Sequence, residues 1–164
     1  MSPYDDPAAS AGEIADYLDS QSVKPMAILN YTTQIDAGKT VAELTQMLGK
    51  AGCQKVLVDY AAGEPSALTF AITVQQRPMF FTLPANIEGV LAALKRDRVA
   101  SKYCNVAQAR RVAWRIIKVW CEAQLAIIDA GQASLAEVFL PYAQTPSGQT
   151  LYKAIESGTL KLLN

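Results

Sequence analysis

The stretch from Val106 to Ala130, VAQARRVAWRIIKVWCEAQLAIIDA, contains no Gly, no Pro and no long β-branched run, so nothing in it stops a helix. On a wheel of about 100° per residue, Gln108, Arg111, Arg115, Lys118, Glu122 and Asp129 form one narrow polar stripe. Almost everything else on the wheel is apolar. A helix of this kind has to be covered over most of its circumference, so the chain must fold around it. With 164 residues and 51% hydrophobic content, the chain suits one domain with a sizeable core.

The remaining elements follow in order. Residues 1–25 read as an acidic N-terminal extension in which Ser10-Ala-Gly-Glu13 is a capping-box pattern and Ile14, Tyr17 and Leu18 form a small apolar face. The main domain is expected over 26–164. Ala27 to Gln34 reads as a strand or an extended lead-in. Thr40-Val-Ala-Glu43 is a second capping box, expected to open a helix with an apolar face of Val41, Leu44, Met47 and Leu48 that ends at Gly49 and Gly52. Gly38-Lys39-Thr40 has the tail of a phosphate-loop motif, but Thr33 stands where that motif needs its first glycine.

Gln54 to Tyr60, the alternating run around Leu68, Phe70, Ile72 and Val74, and Met79 to Leu83 predict three strands joined by tight turns. Asn86 is placed to cap a short helix with Ile87, Val90, Leu91 and Leu94 on one face. The long helix follows. Ser134-Leu-Ala-Glu137 is a third capping box, opening a short helix that Pro141 ends, and Leu151 to Ile155 forms a last helical piece before a greasy tail of Leu160, Leu162 and Leu163. The expectation is an α+β fold: a three-stranded antiparallel meander packed by the long C-terminal helix and several short helices. Such a sheet has two open edges. Together with the apolar excess of the long helix, they lead us to expect a homo-oligomer, the other option being a monomer with its terminal segments folded over.

Composition excludes more than it identifies. The chain has no histidine, the residue most used for general acid–base work near neutral pH and a common transition-metal ligand. The carboxylates Asp59, Glu64, Glu88, Glu122, Asp129 and Glu137 are scattered over separate elements, so we expect no metal, no cofactor and no enzyme. Cys53, Cys104 and Cys121 lack metal-ligand spacing and are expected as free thiols. No apolar run is long enough to span a bilayer and the N-terminus is acidic where a signal peptide is basic, so the expected setting is the cytoplasm, with no membrane partner.

Net charge is zero, but it is unevenly spread. Lys95, Arg96, Arg98, Lys102, Arg110, Arg111, Arg115 and Lys118 fall in one short region against Asp97 alone. Arg111, Arg115 and Lys118, at i, i+4 and i+7, rise along one helix face within reach of a single multi-phosphate ligand, and guanidinium groups fit phosphate oxygens in bidentate fashion. The same spacing also describes a solvated stripe with a Lys118–Glu122 pair. Arg110 falls on the apolar side of the wheel, near Trp114, Ile117 and Cys121, where it needs an anion: a carboxylate such as Asp59, or a ligand. Trp114, Trp120, Phe80 and Phe81 are candidates for stacking a base, with Phe80 the more exposed ring, although such rings serve equally as core.

From Met26 onward the chain resembles a group of small proteins encoded by bacteriophages and prophages. The resemblance rests on NYTTQIDAGKTVAEL, the strand leading to FTLPAN, the block QARRVAWRIIKVWCEAQLAII, and the phrases VFLPY and GQTLY. Val119 stands where that pattern has an acidic residue, and the N-terminal extension lies outside it. The resemblance implies a phage setting, in the host cytoplasm. Two jobs suit compact proteins of that kind: counter-defence by sequestering a nucleotide messenger, and single-stranded DNA binding.

The function expected from these readings is non-enzymatic capture of a phosphate-bearing nucleotide at an Arg-rich helix or oligomer interface by Arg110, Arg111, Arg115, Lys118 and Phe80. One alternative is single-stranded nucleic-acid binding along Lys95, Arg96, Arg98, Lys102, Arg111 and Arg115, against which zero net charge weighs. The other is a protein–protein adaptor or inhibitor that uses the arginine stripe and the acidic N-terminal helix.

Overall fold

Asn86, Asn105, Ser134 and Thr150 each place a side-chain oxygen on a first-turn amide, and each opens a helix. These caps divide the second half of the computed structural model, which describes residues 26–161. The elements are α1 (Ala37–Lys50), β1 (Lys55–Ala61), β2 (Glu64–Val74), β3 (Arg77–Pro84), α2 (Ile87–Arg96), α3 (Val106–Asp129), α4 (Leu135–Phe139) and α5 (Leu151–Glu156). Short 3-10 turns occupy Ser101–Tyr103 and Leu140–Tyr142. The fold is α+β, with a three-stranded antiparallel sheet in the order β1-β2-β3. The expected helix in the acidic extension 1–25 and the tail residues Leu162 and Leu163 lie outside the described residues.

Both hairpins turn through residue pairs at positive φ: Ala62 and Gly63 between β1 and β2, Gln75 and Gln76 between β2 and β3. That is the type I′ arrangement, whose twist matches that of the strands. On one sheet face Phe70 stacks on Phe81 with ring centroids 5.3 Å apart, and Phe139 of α4 meets Phe70 edge-on at 5.1 Å. Leu44 and Leu48 of α1, Leu68, and Trp114 and Cys121 of α3 complete this buried layer. The long helix packs against α1 and α2, and through Trp114 and Cys121 it joins the buried layer on the sheet. The opposite sheet face carries a ladder of hydroxyls, where Thr69 and Thr82 meet at 2.9 Å and Gln144 donates to Thr82.

Three local expectations are corrected. Ala27 to Gln34 contains no strand: it forms successive turns, with the Tyr31 amide donating to the Ile28 carbonyl, the Thr33 amide to that of Asn30, and Asn30 at φ 62°. The segment is held by side chains instead, since the Asp97 carboxylate accepts from the Ile28 amide at 3.0 Å. The Thr40–Glu43 pattern is no capping box, because α1 starts earlier, at Ala37, with Asp36 at the cap position. Thr40 lies inside the helix and donates to the Asp36 carbonyl, while Glu43 reaches α3. Finally, among the described residues only one sheet edge is bare. Beside β3, Ala143 forms an antiparallel bridge with Phe81 and the Gln144 amide donates to the Phe80 carbonyl at 2.7 Å; β1 has no such neighbour among the described residues.

Candidate functional site

The polar stripe of α3 faces α1 and the loop before it. Gln108 is buried; its Nε2 donates to the Tyr31 and Thr33 carbonyls at 2.8 and 2.9 Å, and its Oε1 accepts from Arg111. One residue of the stripe therefore pins the loop that delivers the start of α1.

Further along, Arg115 donates to Glu43 at 2.8 Å and to the Thr40 hydroxyl at 3.4 Å. Lys118 lies 3.7 Å from the same Glu43 and also pairs with Glu122. The side chains of Arg115 and Lys118 are only 17% and 12% exposed. The Arg115 hydrogen bond, ahead of other contributions, holds the Glu43 carboxyl below its ordinary value. Arg115 and Lys118 are neither solvated nor free: they fasten α3 to α1.

Arg110 and Arg111 are held differently. They line a concavity of about 370 Å³ together with Asp36, Ala37 and Gly38 at the start of α1, and Glu64 at the start of β2. Arg110 lies 3.9 Å from Glu64, not against Asp59, which belongs to the far strand β1. Its Nε is buried and has no hydrogen-bond partner among the described residues. Arg111 lies 3.7 Å from Asp36, at the long end of ion pairing. The two carboxylates are 82% (Asp36) and 49% (Glu64) exposed, so water competes for both. Asp36 makes no side-chain cap hydrogen bond and the first turn of α1 has no acidic residue, which leaves the first-turn amides of α1 without a side-chain acceptor at the same concavity.

Of the residues expected from the sequence, the structure brings Arg110 and Arg111 into one cavity and commits Arg115 and Lys118 to Glu43. Phe80 is not in the cavity. It precedes Phe81 in β3, and successive strand residues point to opposite faces, so its half-buried ring belongs to the face away from the Phe70–Phe81 layer. Trp114 and Phe81 are fully buried, and the Trp114 indole donates to the Pro65 carbonyl at 3.2 Å; both are core, with no face left for a base. Trp120 packs edge-on against Phe139 and Tyr142. Of the expected nucleic-acid track, Arg96 pairs with Asp97 at 2.8 Å while staying exposed, and Arg115 pairs with Glu43.

Sequence reasoning missed Asp36, the first turn of α1 and Glu64 as members of the site, and Glu43 as the partner that occupies Arg115. The one available signal was Asp36 before Ala-Gly, an N-cap residue type that the stronger Thr40–Glu43 pattern outweighed. Cys53, Cys104 and Cys121 are free thiols, and burial pushes Cys53 up to about 11 and Cys121 up to about 12, so neither of these two is poised as a nucleophile. Among the described residues no group of His, Cys, Asp or Glu is arranged to hold a metal ion, and no helix is long and apolar enough to cross a membrane.

Compared with known proteins, the chain matches no protein family, no curated protein and no solved structure.

Proposed function

We propose that the protein binds a phosphate-bearing nucleotide without transforming it, gripping the phosphate end between Arg110, Arg111 and the first-turn amides of α1. The observation that carries this reading is the pairing of two guanidinium groups with an uncapped helix N-terminus in one concavity, with the Arg110 Nε buried and unsatisfied. Two arginines and a helix N-terminus converge on anions for the same reason: each presents N–H donors with a fixed positive field. A volume of about 370 Å³ suits one or two phosphates, leaving the nucleoside at the open rim. Asp36 and Glu64 act as place-holders that swing into solvent when the ligand arrives. A grip made of arginines and amides needs no proton shuttle, in keeping with a chain free of histidine. On the resemblance to phage and prophage proteins, the role is trapping a nucleotide messenger in counter-defence.

Calorimetric titration with ADP and with inorganic pyrophosphate tests the proposal. The wild type should bind, the Arg110→Ala, Arg111→Ala double variant should lose at least about tenfold in affinity, equivalent to about 1.4 kcal/mol, and Arg115→Ala should keep its affinity while losing stability. No binding to the wild type, or equal binding to the double variant, overturns it. Tight binding of single-stranded DNA that falls steeply with salt, with no nucleotide binding, would replace it by the nucleic-acid reading.

A further inference from the structure

The bare edge of the sheet has a pattern that the phosphate cavity does not use. Along β1, Lys55, Leu57 and Asp59 share the face that carries the hydroxyl ladder, and Val56 and Val58 share the face covered by helices. Leu57 is 56% exposed, in a position where an edge strand normally shows a polar residue. Across β1, the register places Ala71 opposite Lys55, Thr69 opposite Leu57 and Ala67 opposite Asp59. Neither charge thus has a cross-strand counterion within its own sheet, and neither forms an ion pair among the described residues. A register irregularity between Asp59 and Tyr60 ends the regular stretch, so Lys55 to Asp59 is a regularly paired segment with Leu57 at its centre.

We propose that this edge binds a second copy of the chain, antiparallel about a two-fold axis at Leu57, joining the two sheets into one. In that register Lys55 of each copy lies opposite Asp59 of the other, Leu57 opposite Leu57, and Val56 opposite Val58. Opposite charges facing each other across an antiparallel pair stabilise it, and like charges destabilise it. Keeping the helices of both copies on one side allows only shifts by even numbers of residues. A shift of two sets Leu57 against Lys55 or against Asp59. A shift of four sets Lys55 against Lys55 or Asp59 against Asp59. Only the register centred on Leu57 thus sets each charge against an opposite one; a shift of two leaves the charges facing apolar residues, and a shift of four sets like charges together. Tyr60, 65% exposed, and a groove of about 630 Å³ between β1 and α1, lined in part by Val41, Ala42 and Val58, adjoin the same edge. The valines of the second copy would continue that apolar lining across the pair.

Sedimentation velocity across the micromolar range tests the proposal. The wild type should dimerise, Lys55→Asp and Asp59→Lys should each weaken the dimer at least about tenfold, and the double variant Lys55→Asp, Asp59→Lys should restore it, with unchanged circular dichroism throughout. In a Cys53→Ala background, Leu57→Cys should form a symmetric disulfide on mild oxidation, because directly opposed strand residues lie about 4.5–5.5 Å apart at Cα. A wild type that stays monomeric, a charge-swapped double variant no better than the singles, or a dimer in which Leu57→Cys fails to cross-link each overturns it. Because Arg110 and Arg111 remain intact in all these variants, loss of the dimer and loss of nucleotide binding are separable.

Discussion

Replacing Glu43 by Gln should separate structural cations from ligand-binding ones, because Glu43 is where α1 and α3 are fastened. Exposed ion pairs are worth under about 1 kcal/mol, whereas breaking a buried pair costs about 3–5 kcal/mol. Glu43 lies between these limits: it is 33% exposed, while the Arg115 and Lys118 side chains it neutralises are almost covered. Lys118 keeps Glu122 as a second partner, so Arg115 alone is left with an uncompensated charge. Since Gln retains one acceptor for the Arg115 hydrogen bond, we expect Glu43→Gln to cost about 1–2 kcal/mol. For a chain of this length that corresponds to a melting temperature lower by roughly 2–8 °C. Denaturant unfolding at pH 7 reads the difference. Its pH dependence provides a second check. The folded Glu43 carboxyl titrates below its ordinary 4.5, chiefly through the Arg115 hydrogen bond, so the unfolded chain takes up the proton first on acidification. The stabilisation is therefore complete above 4.5 and lost as pH falls through the depressed folded value, and the gap between wild type and variant should close over that range. A gap below about 0.5 kcal/mol at neutral pH, typical of a surface pair, or one that survives acidification unchanged, would refute the clamp.

Gln108→Leu keeps the volume but removes the donor shared by the Tyr31 and Thr33 carbonyls; it should cost about 1–3 kcal/mol and speed amide exchange around Thr33 to Gly38 more than in the sheet. Trp114→Ala empties a fully buried site and strands the Pro65 carbonyl, so its unfolding free energy should fall by about 3–5 kcal/mol, whereas a loss below about 1 kcal/mol would contradict its place in the core. Ser134→Ala breaks a capping box that the Glu137 side chain completes and should lower stability by about 0.5–2 kcal/mol in denaturant unfolding. With thiols pushed up to about 11 and about 12, Cys53 and Cys121 should alkylate slowly at pH 8 in the native protein and rapidly once it is unfolded, as peptide mapping would show.

Features set by neighbours in sequence were legible in the sequence. Val106 to Asp129 is one helix because its apolar period and its Asn105 cap are local. The meander follows from the alternation in β2 and from turn residues on either side. Asn86 and Ser134 cap as their spacing requires, because a side-chain oxygen and a first-turn amide are neighbours along the chain. The arginine pattern, too, was visible on the helical wheel.

What each charge faces depended on how the helices cross, and no local pattern encodes that. Thr40 and Glu43 have the right spacing for a cap, yet α3 presents Arg115 to Glu43, and a charge-assisted bond with a partly buried partner outweighs a cap in solvent. Ala27 to Gln34 alternates like a strand, yet Asp97 and Gln108 tie its backbone into turns. Tertiary packing likewise closed one sheet edge with Ala143 and Gln144, left β1 bare, and moved Phe80 away from the arginines by the parity of its strand. The sequence by itself determined the meander, the long helix with its shorter neighbours, and that Arg110 and Arg111 stand together on α3. Only the tertiary structure set those two beside the uncapped start of α1 and gave Arg115 and Lys118 to Glu43, because a counterion some seventy residues away is chosen by packing and not by spacing.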